Sequence, residues 1–116
     1  MKREYFDYVQ DILDSINEIE SFIAGLDFQT FETDRKPVNA VIRSLEIIGE
    51  ATKKIPDEIK EKYSDIPWKN IAGMRDKLAH EYFGVDEEIV WKVSSEEIPI
   101  LKPLIQKLFN ELEEKN

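Results

Sequence analysis

The chain holds a single histidine, His80, in the stretch MRDKLAHEYFG at residues 74–84. Arg75 precedes it by five residues and Tyr82 follows it by two. Histidine moves a proton near neutral pH, and arginine holds a phosphate and stabilises charge growing on it. Metal-free RNA cleavage needs those parts: a base for the 2′-hydroxyl and a cation for the phosphorane-like transition state. On one regular helix, however, five residues rise about 7.5 Å and turn about 500°, so the two side chains diverge by roughly 140°. Convergence of Arg75 with His80 therefore requires a helix that ends near His80 or a second copy of the chain. Two-fold symmetry sets the same patch against itself, which brings two arginines and two histidines into one cleft. Arg75 and Tyr82, seven residues apart, share a face if the helix continues. Periodicity and chemistry alone leave a second reading open, in which His80 caps a helix C-terminus beside a surface arginine.

Other chemistries are ruled out by what the chain lacks. There is no cysteine, so disulfides, thiolate catalysis and cysteine-ligated metal sites are excluded together. One histidine cannot supply the two Glu-x-x-His pairs of a di-iron bundle, nor a His-Glu-x-x-His zinc site. Asp76 and His80 stand four apart, a spacing that could hold one ion, but a lone pair of this kind in a charged helix is usually incidental. No serine neighbours His80, no nucleophile elbow is present, and no glycine-rich loop awaits a phosphate. No metal and no cofactor are expected.

The chain has 116 residues, the usual size of one domain around one core, and its formal net charge is −9. That charge argues against a general nucleic-acid coat. It is unevenly spread. Residues 1–51 carry 5 basic and 11 acidic side chains, and residues 81–116 carry 4 and 9, whereas residues 52–77 carry 7 and 5. The one basic segment runs into the arginine–histidine stretch and is where an anion would be met. No apolar run approaches the roughly 18–20 residues that cross a bilayer. The opening MKREYFDYVQD mixes acidic and aromatic residues and is no signal peptide. A cytoplasmic protein is expected.

The elements that must position these residues are helices. Tyr5, Val9, Ile12, Ile16, Ile19, Ile23 and Leu26 recur at spacings of three and four, which predicts one helix with a buried stripe ending near Gly25. DFQTFETDRKP reads as a connector, with Asp34 as a cap and Pro37 tolerated in a first turn. A second helix follows, with Val38, Val41, Ile42, Leu45, Ile48 and Ile55 inside. Gly49 in its interior costs about 1 kcal/mol against alanine and points to a close approach of another backbone. Pro56 starts a short helix, PDEIKEKY, and Pro67 opens another, PWKNIAGMRDKLAHEY, with Gly84 as its stop. Asp86 begins a final helical region in which Pro99 and Pro103 are expected to introduce a kink or a division. The prediction is an all-α, up-and-down bundle of four main helices plus a short helix, with a kinked C-terminal region, in one domain over residues 1–116.

Arg75-x4-His80-x-Tyr82 resembles the Arg-x4–6-His motif of the HEPN superfamily, and specifically the Arg-x4-His-x-Tyr form of the HepT-like toxins. AVIRSLEIIGEA (40–51), IPWKNIAGMRDKLAHEYFGVD (66–86) and EEIVW (87–91) resemble family signatures in the family's order, as do the first helix and the F-x-x-F-x-x-D connector at 28–34. The resemblance implies a homodimeric helical bundle whose two motifs form one composite, metal-independent endoribonuclease site. It implies that Arg75 binds and polarises the scissile phosphate, that His80 serves in proton transfer, and that Asp76 orients its neighbours. It also implies a partner, a MntA-like minimal nucleotidyltransferase antitoxin, which transfers AMP to the motif tyrosine, here Tyr82. Arg43, Glu46 and Glu50, at spacings of three and four, either form intrahelical ion pairs or line the dimer cleft in a supporting role. Trp68 and Trp91 are expected in the core or the dimer interface. The alternative from another class is a non-catalytic helical dimer that binds a nucleotidyltransferase partner or a nucleotide.

Overall fold

The computed structural model describes residues 2–73 and 86–115, with side chains from Tyr5 onward. Its elements are α1 (Lys2–Ile23), α2 (Phe28–Thr33), α3 (Arg35–Lys53), α4 (Asp57–Lys62), α5 (68–73), α6 (Glu87–Lys92), a π-helical turn (Val93–Glu97) and α7 (Ile98–Lys115). No strand occurs among the described residues, so the fold is the all-α bundle that the apolar periodicities predict.

The stripe on α1 forms the centre. Val9, Ile12, Ile16 and Ile19 are fully buried, against Val38, Val41, Leu45 and Ile48 of α3 on one side and Ile98, Leu101, Ile105 and Leu108 of α7 on the other. Helices α1 and α7 run antiparallel. Phe6 meets Phe109 edge-on at 5.0 Å near one end, and near the other Lys102 Nζ donates to Glu20 Oε1 at 2.6 Å. The chain leaves α1 through Gly25, whose φ of 76° is a left-handed conformation open to glycine without strain.

One segment differs from the expectation. The stretch between α1 and α3 is not a plain connector, because residues Phe28–Thr33 form α2. Asp27 caps it by accepting from the Thr30 N–H at 2.8 Å, and that hydrogen bond holds the Asp27 carboxyl below its usual range. Phe31, fully buried, ties the two turns to the core. Asp34 then caps α3 as expected, accepting from the Lys36 N–H at 3.1 Å, with Pro37 in the first turn.

The C-terminal region is helical from Glu87 to Lys115, and the expected perturbation by its prolines takes the form of a π turn ahead of Pro99, between α6 and α7. Ile98 N–H donates to Val93 O, five residues back, so the turn ahead of Pro99 is widened. A proline ring clashes with the carbonyl four residues before it, and the wider turn relieves that contact. Ser94 and Ser95 hydroxyls donate to the Val90 and Trp91 carbonyls, at 2.8 and 2.7 Å, and share in satisfying the backbone there.

Pro56 ends the α3 region and precedes the short α4, and the segment 63–66 turns the chain into α5. Tyr63, buried in that turn, donates its hydroxyl to Glu111 Oε1 on α7 at 2.6 Å. The expected helix beyond Gly73, with Met74, Leu78 and its stop at Gly84, lies outside the described residues. Gly49 is buried within α3. No helix among the described residues is long and apolar enough to cross a membrane.

Burial, then the hydrogen bond to Glu111 and its negative charge, push the Tyr63 phenol up to about 12. The phenol is protonated below its ordinary value near 10, and there its stabilising contribution is complete. Between about 10 and 12 the unfolded chain ionises first, so stability is lost as pH rises through that window. Tyr63→Phe should lower stability by about 1–3 kcal/mol at neutral pH and flatten the alkaline limb of the denaturant midpoint between pH 10 and 12. Urea titrations across that range check both effects.

Candidate functional site

The residues to which the sequence assigns chemistry, Arg75, Asp76, His80 and Tyr82, lie in the segment 74–85, outside the described residues. The structure describes what holds that segment at either end.

On the N-terminal side the holding element is α5. Its first residue, Trp68, is buried, and the indole N–H donates to Tyr63 O at 3.0 Å. Ile71 is buried one turn on. Through Tyr63 and Glu111 this end of the chain is hydrogen-bonded to α7. On the C-terminal side Asp86 caps α6, accepting from the Glu88 and Ile89 N–H groups at 2.9 and 3.4 Å. Glu87 then pairs with Arg35 at the start of α3, at 3.1 Å. Val90 enters the core, and Trp91 packs on Phe31 of α2 at 5.1 Å and on Phe28 at 6.4 Å. Trp68 thus lies in the core, and Trp91 is half-buried against α2.

Arg43, Glu46 and Glu50 come together on one groove. They line a surface concavity of about 230 Å³ with Ile47, Ala51 and Lys54 of the α3 region and with Tyr8 and Asp11 of α1. Burial, reinforced by Asp14 and Asp7, pushes the Asp11 carboxyl up. With Asp11, Glu46 and Glu50 against Arg43 and Lys54, the groove is acidic on balance.

A second and larger concavity, about 530 Å³, lies between α4 and α5 and is lined by Asp57, Lys60, Glu61, Ser64, Pro67, Trp68, Lys69 and Asn70. It holds two lysines of the basic segment, but Asp57 and Glu61 offset them. The described lysines of this segment are spread over the end of α3, α4 and α5. No group of three or more His, Asp or Glu side chains is placed to hold a metal ion among those residues.

Two supports of the segment are not readable from the sequence: the Arg35–Glu87 pair and the packing of α2 on Trp91. The available signal is weak. Phenylalanines three apart behind an aspartate are consistent with a capped helical turn, but an ion pair between residues 52 apart has no local signature.

Comparison with known proteins places these features in a family. The family model described as "Ribonuclease HepT-like" matches residues 12–108, which include both holding elements and the segment between them. A protein of Thermococcus cleftensis named "Probable ribonuclease HepT" is 50% identical over 108 residues, covering 93% of this chain and 98% of the relative. "Putative RNase MJ0125" of Methanocaldococcus jannaschii is 47% identical over 114 residues, covering 98% of each chain. "Putative RNase TTE0752" of Caldanaerobacter subterraneus is 46% identical over 101 residues, covering 87% of this chain and 90% of the relative. No solved structure matches the chain.

The Asp86 cap is the point at which the C-terminal holding element begins. Asp86→Ala should destabilise the protein by about 0.5–2 kcal/mol, and Asp86→Asn by much less, because asparagine caps nearly as well. Thermal or urea unfolding of the two variants beside the unsubstituted protein measures the difference.

Proposed function

The chain belongs to the HepT-like ribonuclease family, and from that premise we propose that it is the toxin of a toxin–antitoxin pair, a metal-independent endoribonuclease acting in the cytoplasm. The observation that carries this reading is the family match over residues 12–108, which contains the complete Arg75-x4-His80-x-Tyr82 motif. The motif's chemistry agrees with the activity for which the family is named. In the proposed single HEPN domain, 1–116, two copies pair as a homodimer, and their motifs make one composite site.

Cleavage then proceeds by transfer within the RNA. His80 takes the proton of the 2′-hydroxyl as that oxygen bonds to the adjacent phosphorus. Arg75 donates to the phosphate oxygens and stabilises the charge that grows on them. The bond from phosphorus to the 5′-oxygen breaks, leaving a 2′,3′-cyclic phosphate. The departing oxygen takes up a proton, which in this reading the His80 imidazolium of the second copy supplies. Asp76 orients its neighbours, and neither metal nor cofactor takes part. Arg43, Glu46 and Glu50 support the site and do not act on the bond.

The partner in this reading is a MntA-like minimal nucleotidyltransferase. It transfers AMP to the Tyr82 hydroxyl, releasing pyrophosphate from ATP, and the added bulk and negative charge keep RNA out. The rival reading is a non-catalytic helical dimer that binds such a partner or a nucleotide. It draws on one observation: neither described concavity carries a cationic excess.

Two experiments decide. RNA incubated in chelator should be cleaved by the unsubstituted protein, with a loss of about 10²-fold or more in His80→Ala. Equal cleavage by both, or none by the unmodified protein, supports the non-catalytic dimer. Intact-mass measurement after coexpression with a minimal nucleotidyltransferase should show added AMP, absent in Tyr82→Phe. AMP retained in that variant assigns the acceptor elsewhere.

A further inference from the structure

The polar side chains around the concavity between α4 and α5 find no partner in the fold. Asp57, Lys60 and Glu61 of α4 and Lys69 and Asn70 of α5 all line it. Among the described residues none of these side chains makes a hydrogen bond or an ion pair. Asp57 and Glu61 stand four apart on one helix, a spacing at which like charges repel, so α4 gains nothing from them as a pair. Pro67 and Trp68 give the hollow an apolar wall. The Trp68 indole N–H is already spent on Tyr63 O at 3.0 Å, so the ring offers only carbon. At about 530 Å³ the hollow falls within the range of small-ligand sites, roughly 300–1,000 Å³, and it has their composition, an apolar surface with a few free polar groups.

Those groups narrow the occupant. A divalent ion is opposed by Lys60 and Lys69, and among the described residues no group of three or more acidic side chains converges to hold one. The lining instead asks for a planar apolar body, donors for the carboxylates and negative charge for the lysines. One nucleotide of RNA carries all three. Position agrees with this. Asn70 precedes Arg75 by five residues, and five residues span at most about 18 Å even when fully extended. The hollow therefore lies within a few nucleotides of a bond that Arg75 serves, whatever path the chain takes between them.

We propose that the concavity between α4 and α5 is a subsite for one unpaired RNA nucleotide beside the cleaved bond, with Lys60 and Lys69 on its phosphates and Asp57 and Glu61 accepting from its base. This rests on the reading of the chain as a ribonuclease that cuts at Arg75 and His80. Single-stranded bases splay out onto side chains and are read along their hydrogen-bonding edges. The carboxylates then choose among bases. Cytosine presents an amino group to an acceptor. Uracil, of the same size, flanks its one N–H with two carbonyl oxygens, which a carboxylate repels. The subsite favours cytosine over uracil.

The test measures Kd for short labelled oligocytidine and oligouridine on the His80→Ala protein, which holds RNA uncut. Oligocytidine should bind about tenfold more tightly. Asp57→Asn with Glu61→Gln should tighten oligouridine selectively and erase most of that difference. Lys69→Ala should weaken both RNAs and lower the slope of log Kd against log salt by about one, whereas Lys36→Ala, outside the hollow, should leave both unchanged. With Trp91→Phe added, Trp68 is the remaining tryptophan and its emission should change as oligocytidine binds. Equal affinity for the two RNAs, equal tightening of both on removal of the carboxylates, or binding without a change in Trp68 emission overturns the proposal. So does a Lys69→Ala protein that binds RNA normally but no longer receives AMP on coexpression, which assigns the hollow to a protein partner. No binding of either RNA, together with no cleavage by the unsubstituted protein, sinks the ribonuclease reading itself and the subsite with it.

Discussion

The burial of one face of α1 is the constraint from which the rest of the structure follows. Val9, Ile12, Ile16 and Ile19 are all fully buried, and each contributes about 1.5–3 kcal/mol relative to exposure. No single neighbour covers a stripe this wide, so α3 and α7 must both lie along it, and every other element is placed by reaching the core those three helices make. Helix α2 reaches it through Phe31, α5 through Trp68 and Ile71, and α6 through Val90. A change that narrowed the α1 stripe would therefore loosen the core on which α2, α5 and α6 all rest.

Polar groups inside the bundle are handled locally, which leaves the long-range polar contacts free to orient helices. Thr52 and Ser94 are buried, and each hydroxyl donates to a carbonyl four residues back in the chain, at 2.7 and 2.8 Å. Such bonds satisfy the hydroxyl without tying together distant parts of the chain. Polar side-chain contacts that tie distant elements include Tyr63 to Glu111, Arg35 to Glu87 and Lys102 to Glu20. One of these three, the Arg35–Glu87 pair, involves an element that flanks the 74–85 segment. Apolar burial sets which helices touch, and these directional contacts select the rotation and register among arrangements that burial alone would tolerate.

How much of this is legible in the residues follows from the range of the forces involved. The helices that bury a regular stripe, α1 and α3, are legible because their periodicity is a local record of a global contact. Caps are legible for the same reason: Asp34 and Asp86 act within three residues of themselves. Helix α2 is not, because two turns are too short to establish a period, and its stability comes from Phe31 meeting Trp91, a residue sixty positions away. The prolines announce a perturbation but not its form. The π turn at Val93–Glu97 accommodates Pro99 at the expense of one extra residue in the turn, and nothing in the local pattern distinguishes that solution from a kink. For the site, the motif Arg75-x4-His80-x-Tyr82 is legible as chemistry and then as a family resemblance. The supports of its flanks are not, since they are pairs between distant residues.

The acidic balance bears on how such a protein would select RNA. Both described concavities mix cations with at least as many carboxylates, so neither offers the continuous positive potential that binds a phosphate backbone irrespective of sequence. Affinity in the proposed enzyme then rests on a small number of contacts around the paired motifs, where two copies of Arg75 concentrate charge that one copy lacks. A surface that repels polyanions elsewhere weakens nonspecific binding more than it weakens binding at a compact cationic cleft, because screening confines each interaction to about 8–10 Å in physiological salt. The net charge of −9 is in that case a contribution to selectivity in the proposed enzyme, since it disfavours nonspecific binding of polyanions.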